Sequence, residues 1–117
     1  MYKISKQFSF SASHVLDKLS DAHPCSRLHG HNYLVTVRFR SETLDEFGFV
    51  KDYKDLVAIN DFLDREWDHR HLNEILPFHP TAENLARYLY DKFKPIYPEL
   101  YCVEIQESPK TIAVYET

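Results

Sequence analysis

Two stretches of the chain alternate apolar and polar residues with a period of two, which is typical of β-strands with one buried face. In residues 2–14 the apolar face holds Tyr2, Ile4, Phe8, Phe10 and Ala12, with Lys6 as the exception. In residues 29–40 it holds Tyr33, Val35, Val37 and Phe39. The segment between the two stretches contains Pro24 and no long periodic pattern, so we expect a connecting loop there.

Two later stretches have the spacing of amphipathic helices. The first runs from Asp52 to Trp67, and Asp52 is a suitable N-cap. The second runs from about Thr81, another suitable N-cap, to Phe93, and Pro95 ends it. The apolar stripes consist of Leu56, Ile59, Leu63 and Trp67 in the first helix and of Leu85, Leu89 and Phe93 in the second.

Residues 100–107 and 111–116 are predicted to form two final strands joined by the turn "SPK". The element order is then β-β-α-α-β-β. Because consecutive strands are joined by short turns or loops, we expect an α+β fold with a four-stranded antiparallel sheet and both helices on one face. The chain has 117 residues and no internal repeat or linker, which predicts one domain over residues 1–117.

Composition and charge exclude several classes of function. The net charge is -4 and no basic run occurs, so no nucleic-acid partner is expected. No apolar stretch approaches the roughly 20 residues that a membrane-spanning helix needs, and the N-terminus does not resemble a signal peptide. Two cysteines do not make a disulfide framework. These features predict a cytoplasmic protein with reduced thiols.

Histidines are the compositional anomaly, since the chain has seven. His29 and His31 are two residues apart and therefore project from the same apolar face of their predicted strand. His14 lies on the apolar face of the first strand. In an antiparallel hairpin these three imidazoles would converge at one end, which is typical of an open, catalytic zinc site. Zinc is the first choice, although iron, copper or nickel could use the same ligands. A single buried histidine would more simply be a core residue, but three in matching phase are costly to bury without a shared partner.

Four further residues are candidates for acid–base chemistry or binding. Cys25 precedes the histidine pair and is either an inert loop residue or a thiolate base whose pKa a nearby cation lowers. Asp68 adjoins His69 at the end of the first helix, where the carboxylate can orient the imidazole, although His71 is a rival for the same role. Glu107 is in phase with an apolar strand face. It therefore lies either at a solvent-exposed end of the strand or in a buried position with a functional role.

Cys102 looks like core, sharing a strand face with Leu100. On the other face Tyr101, Val103 and Ile105 precede Glu107 with a period of two. A carboxylate such as Glu107 can accept two parallel hydrogen bonds from the paired N–H groups of a 2-aminopterin or guanine ring.

With these residues assembled, the whole chain resembles the family of 6-pyruvoyl-tetrahydropterin and 6-carboxy-tetrahydropterin synthases. The resemblance implies the tunnelling fold, in which sheets assemble through their edges into barrels, usually as homohexamers built from two trimers. It also implies that His14, His29 and His31 bind zinc and that Cys25 is the catalytic base. Asp68 and His69 would be its relay partners, which selects His69 over His71, and Glu107 would anchor the pterin. The motifs that carry the resemblance are "FSASH" (10–14), "CSRLHGHNY" (25–33), "FVKDYKDL" (49–56), "WDHRHLN" (67–73), "PTAENLA" (80–86) and "VEIQES" (103–108).

The spacing Cys-x3-His-Gly-His is similar to that of the 6-carboxy-tetrahydropterin synthases of queuosine biosynthesis, because the pyruvoyl-forming enzymes typically carry a longer insert. Cys25 is followed by Ser26, not Glu, which argues against the folate-pathway variants. The implied reaction converts 7,8-dihydroneopterin triphosphate and water to 6-carboxy-5,6,7,8-tetrahydropterin, acetaldehyde and triphosphate. The alternatives are a 6-pyruvoyl-tetrahydropterin synthase, a zinc hydrolase in which Cys25 is incidental, and a non-catalytic pterin-binding module.

Overall fold

A computed structural model describes residues 1–117 and contains one five-stranded sheet, with the strands in the order β3-β1-β2-β4-β5. Neighbouring strands are antiparallel, except that β3 runs parallel to β1. The strands are β1 (Tyr2–His14), β2 (His29–Ser41), β3 (Arg70–His71), β4 (Leu100–Ser108) and β5 (Thr111–Glu116).

Three α-helical segments accompany the sheet: α1 (Val57–Phe62), α2 (Leu72–Ile75) and α3 (Ala82–Phe93). A 3-10 turn over Tyr53–Leu56 leads into α1, and a π-helical turn over Leu63–Trp67 follows it. No helix combines the length and the apolar character needed to cross a bilayer.

The long strands and the second helix were predicted correctly. Residues 2–14 pair with residues 29–41 as one antiparallel hairpin, and the 12-residue helix α3 begins after Thr81, whose hydroxyl accepts the Asn84 N–H. Asp52 caps its segment as predicted, by accepting the Lys54 N–H at 2.9 Å. The α+β class is therefore confirmed, and the structure closely follows the predicted order of its main elements.

Two details of the predicted topology were wrong. The sheet has a fifth strand and the chain a third helix, because β3 and α2 intervene between the two predicted helices. Both are too short to produce a periodic pattern. β3 forms because Arg70 and His71 pair with Ala12 and Ser13 at the free edge of β1. The predicted helix from Asp52 to Trp67 is also divided into 3-10, α and π segments.

A bulge changes which residues of β4 share a face. The register shifts between Arg38 and Phe39, which pair with Cys102 and Leu100, so Tyr101 is left without a partner. Cys102 is buried as predicted, but the bulge places it on the face of Arg38 and not on that of Leu100. Tyr101 does not lie on the core face with Val103 either. Its ring centroid is 4.6 Å from the guanidinium carbon of Arg40, on the opposite face of the sheet.

One core cluster of 22 buried residues lies between the sheet and the helices. Its aromatic centre is Phe10. The Phe10 ring stacks on that of Tyr33 with 4.6 Å between the ring centroids, and its centroid lies 5.4 Å from that of Trp67. The Phe10–Tyr33 stack joins the two strands that carry the candidate histidines. Burial of such aromatic pairs on one face fixes the strand phase, because a one-residue slip would expose every buried side chain.

Asn73 of α2 fixes the chain immediately after β1. Its amide oxygen accepts the Val15 N–H at 2.8 Å, and its amide nitrogen donates to the Val15 carbonyl at 2.8 Å. Both backbone polar groups of Val15 therefore depend on one half-buried side chain.

We expect Asn73→Ala to lower the free energy of unfolding by about 1–2 kcal/mol, since two partly buried backbone groups lose their partners. Urea denaturation checks this. Asn60→Ala is the matched control, because the Asn60 amide makes one exposed 3.2 Å bond to Asp64 and should change stability by less than about 0.5 kcal/mol. Equal effects of the two substitutions would contradict the role given to Asn73.

Candidate functional site

The hairpin brings three histidines together at one end of the sheet. His14 is the last residue of β1 and pairs with His29, the first residue of β2. His31 lies two residues further on the same strand face. One ring nitrogen from each imidazole lies within 4.8 Å of the others, a group that could hold a metal ion. The convergence expected from the strand phases is therefore present.

Backbone carbonyls determine which ring nitrogens face the centre of the cluster. His14 Nδ1–H donates to the Pro80 carbonyl at 2.8 Å, and His29 Nδ1–H donates to the Arg27 carbonyl at 2.7 Å. A neutral imidazole with its proton on Nδ1 presents a lone pair at Nε2. The two Nε2 atoms lie 2.9 Å apart.

The arrangement of ring nitrogens fits a bound cation. Two Nε2 lone pairs at this distance repel each other unless a proton or a cation lies between them. His31 Nε2 is also buried and has no hydrogen-bond partner, although such atoms are normally paired. Three imidazoles, two of which donate their Nδ1–H groups to carbonyls, are a donor set that borderline divalent metals prefer.

Burial keeps His14 neutral, which is the form that binds a metal. Its side chain is fully buried, and burial lowers its pKa from 6.5 to about 4, opposed by the hydrogen bond to Pro80 and assisted by His29 and His31. Tyr33 lies behind it, with its hydroxyl 3.3 Å from His14 Nδ1. Burial raises the pKa of Tyr33, and Glu107 raises it further.

Glu107 lies beside the histidines. Its carboxylate oxygen Oε2 is 3.6 Å from His31 Nε2, and only 25% of its side chain is exposed. A second bulge in β4 lies here, since Gln106 and Ser108 pair with β5 while Glu107 has no partner. Bulges of this kind re-aim a side chain. Glu107 thus lies one residue before the end of β4 and is also partly buried beside His31.

Asp68 and His69 form a bonded pair. Asp68 Oδ1 accepts the Ser11 N–H at 2.8 Å, and Oδ2 lies 2.9 Å from His69 Nδ1. The Ser11 hydrogen bond, followed by the one from His69, lowers the pKa of Asp68. His69 has a left-handed backbone with φ of 59°, a conformation that histidine tolerates better than most residues. Its ring is 83% exposed.

Cys25 lies in a short 3-10 turn formed by Pro24–Ser26, where it is half-buried. Its carbonyl accepts the Leu16 N–H at 3.0 Å, which ties the turn to the chain just after β1. The thiol makes no hydrogen bond to Asp68, His69 or the three clustered histidines. The structure thus brings the histidines together with Glu107, and Asp68 together with His69, but it does not bond Cys25 to either group.

Two contacts at the site escaped the sequence reasoning. Tyr33 was recognised only as an apolar residue, although its phase with His29 and His31 was the signal for a site residue. His71 was considered only as a rival of His69, whereas its Nδ1 lies 2.9 Å from the Ser13 hydroxyl. That contact depends on β3, which the sequence pattern did not predict.

Known proteins are similar to this chain in sequence and in structure. A putative 6-pyruvoyl tetrahydrobiopterin synthase from Caenorhabditis elegans is 37% identical, over 92% of this chain and 89% of that protein. The 6-carboxy-5,6,7,8-tetrahydropterin synthase of Synechocystis is 34% identical, over 98% of this chain and 93% of that protein. The solved structure of Caenorhabditis elegans 6-pyruvoyl tetrahydropterin synthase superposes with a TM-score of 0.86, at 34% identity, covering 99% of this chain and 95% of that one.

The match to a protein family extends over almost the whole length of this chain. The family described as 6-pyruvoyl tetrahydropterin synthase matches residues 3–117, which include the histidine cluster, the Asp68–His69 pair and Glu107. The chain therefore belongs to the 6-pyruvoyl tetrahydropterin synthase family.

Proposed function

We propose that this protein is a zinc-dependent 6-carboxy-5,6,7,8-tetrahydropterin synthase of queuosine (7-deazaguanine) biosynthesis. Its substrates would be 7,8-dihydroneopterin triphosphate and water, and its products 6-carboxytetrahydropterin, acetaldehyde and triphosphate. The observation that carries the proposal is the 3.6 Å approach of Glu107 to His31. It sets a carboxylate suited to a pterin ring directly beside a group of imidazoles suited to a metal.

Glu107 would hold the pterin ring. A partly buried carboxylate is costly to leave unpaired, and the 2-amino group and adjacent ring N–H of a pterin offer it two parallel hydrogen bonds. The ring would then extend from Glu107 towards His31, so that the substrate side chain lies beside the histidines.

His14, His29 and His31 would hold the zinc ion, with a coordination position left for the substrate. When bound, zinc supplies Lewis-acid stabilisation of the side-chain oxygens and orients them. The protein contributes the geometry, since the Pro80 and Arg27 carbonyls fix the rings of His14 and His29.

Cys25, His69 and Asp68 would move protons. The Cys25 thiolate is proposed to remove a proton from the substrate side chain, and His69 to donate or shuttle protons. Asp68 would hold the His69 ring in place through the 2.9 Å contact to Nδ1. The redox change is internal to the substrate, so no nicotinamide or flavin is required.

The proposed assembly is a homohexamer of two trimers that join through sheet edges into a barrel. Two observations support edge pairing. The edge strand β5 pairs with β4 on one side only, and its residues Ile112 and Val114 are exposed. An edge strand with exposed apolar side chains is usually covered in the native assembly.

A second candidate is 6-pyruvoyl-tetrahydropterin synthesis, which the 37% identity to the Caenorhabditis elegans protein favours. The short Cys-x3-His-Gly-His spacing favours the carboxy-forming reaction instead. A zinc hydrolase is a weaker alternative, because it gives no role to Glu107. A non-catalytic pterin-binding module would keep Glu107 but lack turnover.

Incubation with 7,8-dihydroneopterin triphosphate should release one acetaldehyde for each triphosphate, measured with a coupled alcohol dehydrogenase assay. Cys25→Ala should lose most of this turnover while keeping zinc, because the base is removed and the metal ligands remain. Cys102→Ala is the matched control and should retain turnover, since burial raises the pKa of that thiol to about 11. A pyruvoyl product without acetaldehyde would contradict the carboxy assignment, and no turnover at all would leave only pterin binding.

Glu107→Gln should weaken binding of 2-aminopterins, because one acceptor oxygen becomes a donor that meets a ligand donor. Loss of a charge-assisted hydrogen bond costs roughly 1.5–3 kcal/mol, which corresponds to about ten- to a hundred-fold in affinity. Calorimetry with sepiapterin measures the effect, with zinc content expected to stay constant. Glu46→Gln, at an exposed loop position, is the control and should bind like the wild type. If both variants bind equally well, the pterin ring is held elsewhere.

A further inference from the structure

The hydrogen bond between His14 and the Pro80 carbonyl determines which nitrogen of the His14 ring is free for a metal ion. A carbonyl oxygen can only accept, so the 2.8 Å contact requires the proton on Nδ1. His14 Nε2 then keeps its lone pair and faces the cluster. The metal centre therefore depends on the position of a carbonyl that lies 66 residues away along the chain.

Pro80 is the central residue of a γ-turn. The Thr81 N–H donates to the His79 carbonyl at 2.9 Å, which closes a three-residue turn around Pro80. The proline ring fixes φ near the value that an inverse γ-turn needs. The Thr81 N–H and the Pro80 carbonyl belong to the same planar peptide unit and point in opposite directions. Bonding of the N–H to His79 therefore aims the carbonyl at His14.

The first turn of α3 anchors this γ-turn. The Asn84 side-chain amide donates to the His79 carbonyl at 2.9 Å, so that this oxygen accepts two hydrogen bonds. The Thr81 hydroxyl accepts the Asn84 N–H at 3.2 Å. Asn84 thus joins both ends of the turn to one helix, and the buried Pro80 between them is held in one orientation.

Tyr33 offers His14 a competing partner. Its hydroxyl lies 3.3 Å from His14 Nδ1, further away than the Pro80 carbonyl. Unlike the carbonyl, a hydroxyl can donate as well as accept. If the carbonyl moved away, the Tyr33 O–H could donate to Nδ1, and the His14 proton would then be carried on Nε2.

The metal-free cluster would gain from this change of tautomer. A proton on His14 Nε2 could be donated to His29 Nε2, 2.9 Å away, so a hydrogen bond would replace the repulsion between two lone pairs. The same proton would prevent His14 from binding a metal, because a ligating nitrogen needs a free lone pair. With the Pro80 carbonyl in place the change is unfavourable, since the Nδ1 lone pair would face the carbonyl oxygen at 2.8 Å.

We propose that the γ-turn at Pro80 locks His14 in the tautomer that binds metal, and that Pro80 and Asn84 are positioning residues of the metal centre. The proposal deepens the proposed function and rests on its assignment of His14 as a zinc ligand. Asn84 acts through the His79 carbonyl and Pro80 through its own. The turn thereby opposes the hydrogen-bonded His14–His29 pair that would otherwise compete with the metal ion.

Zinc affinity, measured by competition with a chromophoric chelator, tests the proposal. Pro80→Gly frees the turn and should weaken zinc binding by about ten- to a hundred-fold, the usual effect of losing a group that orients a metal ligand. Asn84→Asp removes one exposed hydrogen bond and should weaken zinc binding by about two- to ten-fold. Pro98→Gly is the matched control, because Pro98 is exposed in the turn before β4, and it should bind zinc like the wild type.

Asn84→Asp also separates positioning from stability. An acidic side chain in the first turn of a helix is favoured by the helix dipole, so α3 should form as in the wild type. The variant should therefore lose zinc affinity with little change in its urea midpoint. If it lost stability but bound zinc like the wild type, Asn84 would have only a structural role.

Nitrogen NMR of the histidine rings in metal-free protein at neutral pH detects the tautomer, since protonated and unprotonated ring nitrogens differ widely in chemical shift. The wild type and Pro98→Gly should carry the His14 proton on Nδ1, whereas Pro80→Gly should carry it on Nε2. Adding Tyr33→Phe to Pro80→Gly removes the competing donor and should recover part of the lost zinc affinity. An unchanged tautomer in Pro80→Gly, or no recovery with Tyr33→Phe, would overturn the lock.

The tautomer measurement needs no zinc, so it does not depend on the proposed function. If the wild type binds no zinc but His14 changes tautomer in Pro80→Gly, the lock stands and the proposed zinc centre fails. If the wild type binds zinc, and Pro80→Gly and Asn84→Asp bind it as tightly as Pro98→Gly does, the zinc centre stands and the lock is wrong.

Discussion

The candidate site depends on one register, that of the β1–β2 hairpin. Pairing of His14 with His29 places both imidazoles at the same sheet end and on the same face, with His31 two residues further. The stacked rings of Phe10 and Tyr33 lie one layer deeper in the same hairpin. A shift by one residue would turn both His29 and His31 to the opposite face. Packing of the core and assembly of the histidines are therefore enforced by the same constraint.

Burial gives the histidine cluster its chemical character. His14 is fully buried, so it stays neutral, and carbonyl groups hold the cluster's proton-bearing nitrogens away from its centre. The Nε2 atoms of His14 and His29 lie 2.9 Å apart, and two lone pairs at this distance repel each other. A bound cation would relieve that repulsion. The bulge at Glu107 adds a carboxylate at the edge of the same group. Under the proposed function, the metal ligands and the group that holds the pterin ring would therefore be neighbours.

Most of the fold could be predicted from the sequence because its long elements alternate cleanly. The strand phases of His14, His29 and His31 were sufficient to expect them on one face, whereas the phase of Glu107 left open whether it was buried. The bulges at Tyr101 and Glu107 were not predictable in the same way, since they arise from pairing between strands and not from a periodic pattern. The resemblance to a family, rather than any local pattern, selected His69 over His71.

The short elements limited the prediction of the site. β3 has two residues, Arg70 and His71, and forms only because the edge of β1 offers it a partner. The Ser13–His71 contact follows from that strand and was therefore not foreseen. Cys25 lies in a turn whose position depends on the long loop between β1 and β2, so its sequence distance from His29 did not determine its contacts.

Cobalt titration of the metal-free protein tests the central claim most directly, because Co²⁺ replaces Zn²⁺ and its visible absorption reports the coordination geometry. The account predicts one Co²⁺ per chain, with the intense bands of a four-coordinate site that change when neopterin is added. His29→Ala should lose this spectrum, since two imidazoles hold a catalytic metal poorly. Weak bands of hydrated cobalt, identical for the wild type and His29→Ala, would contradict the claim that these histidines form a metal centre.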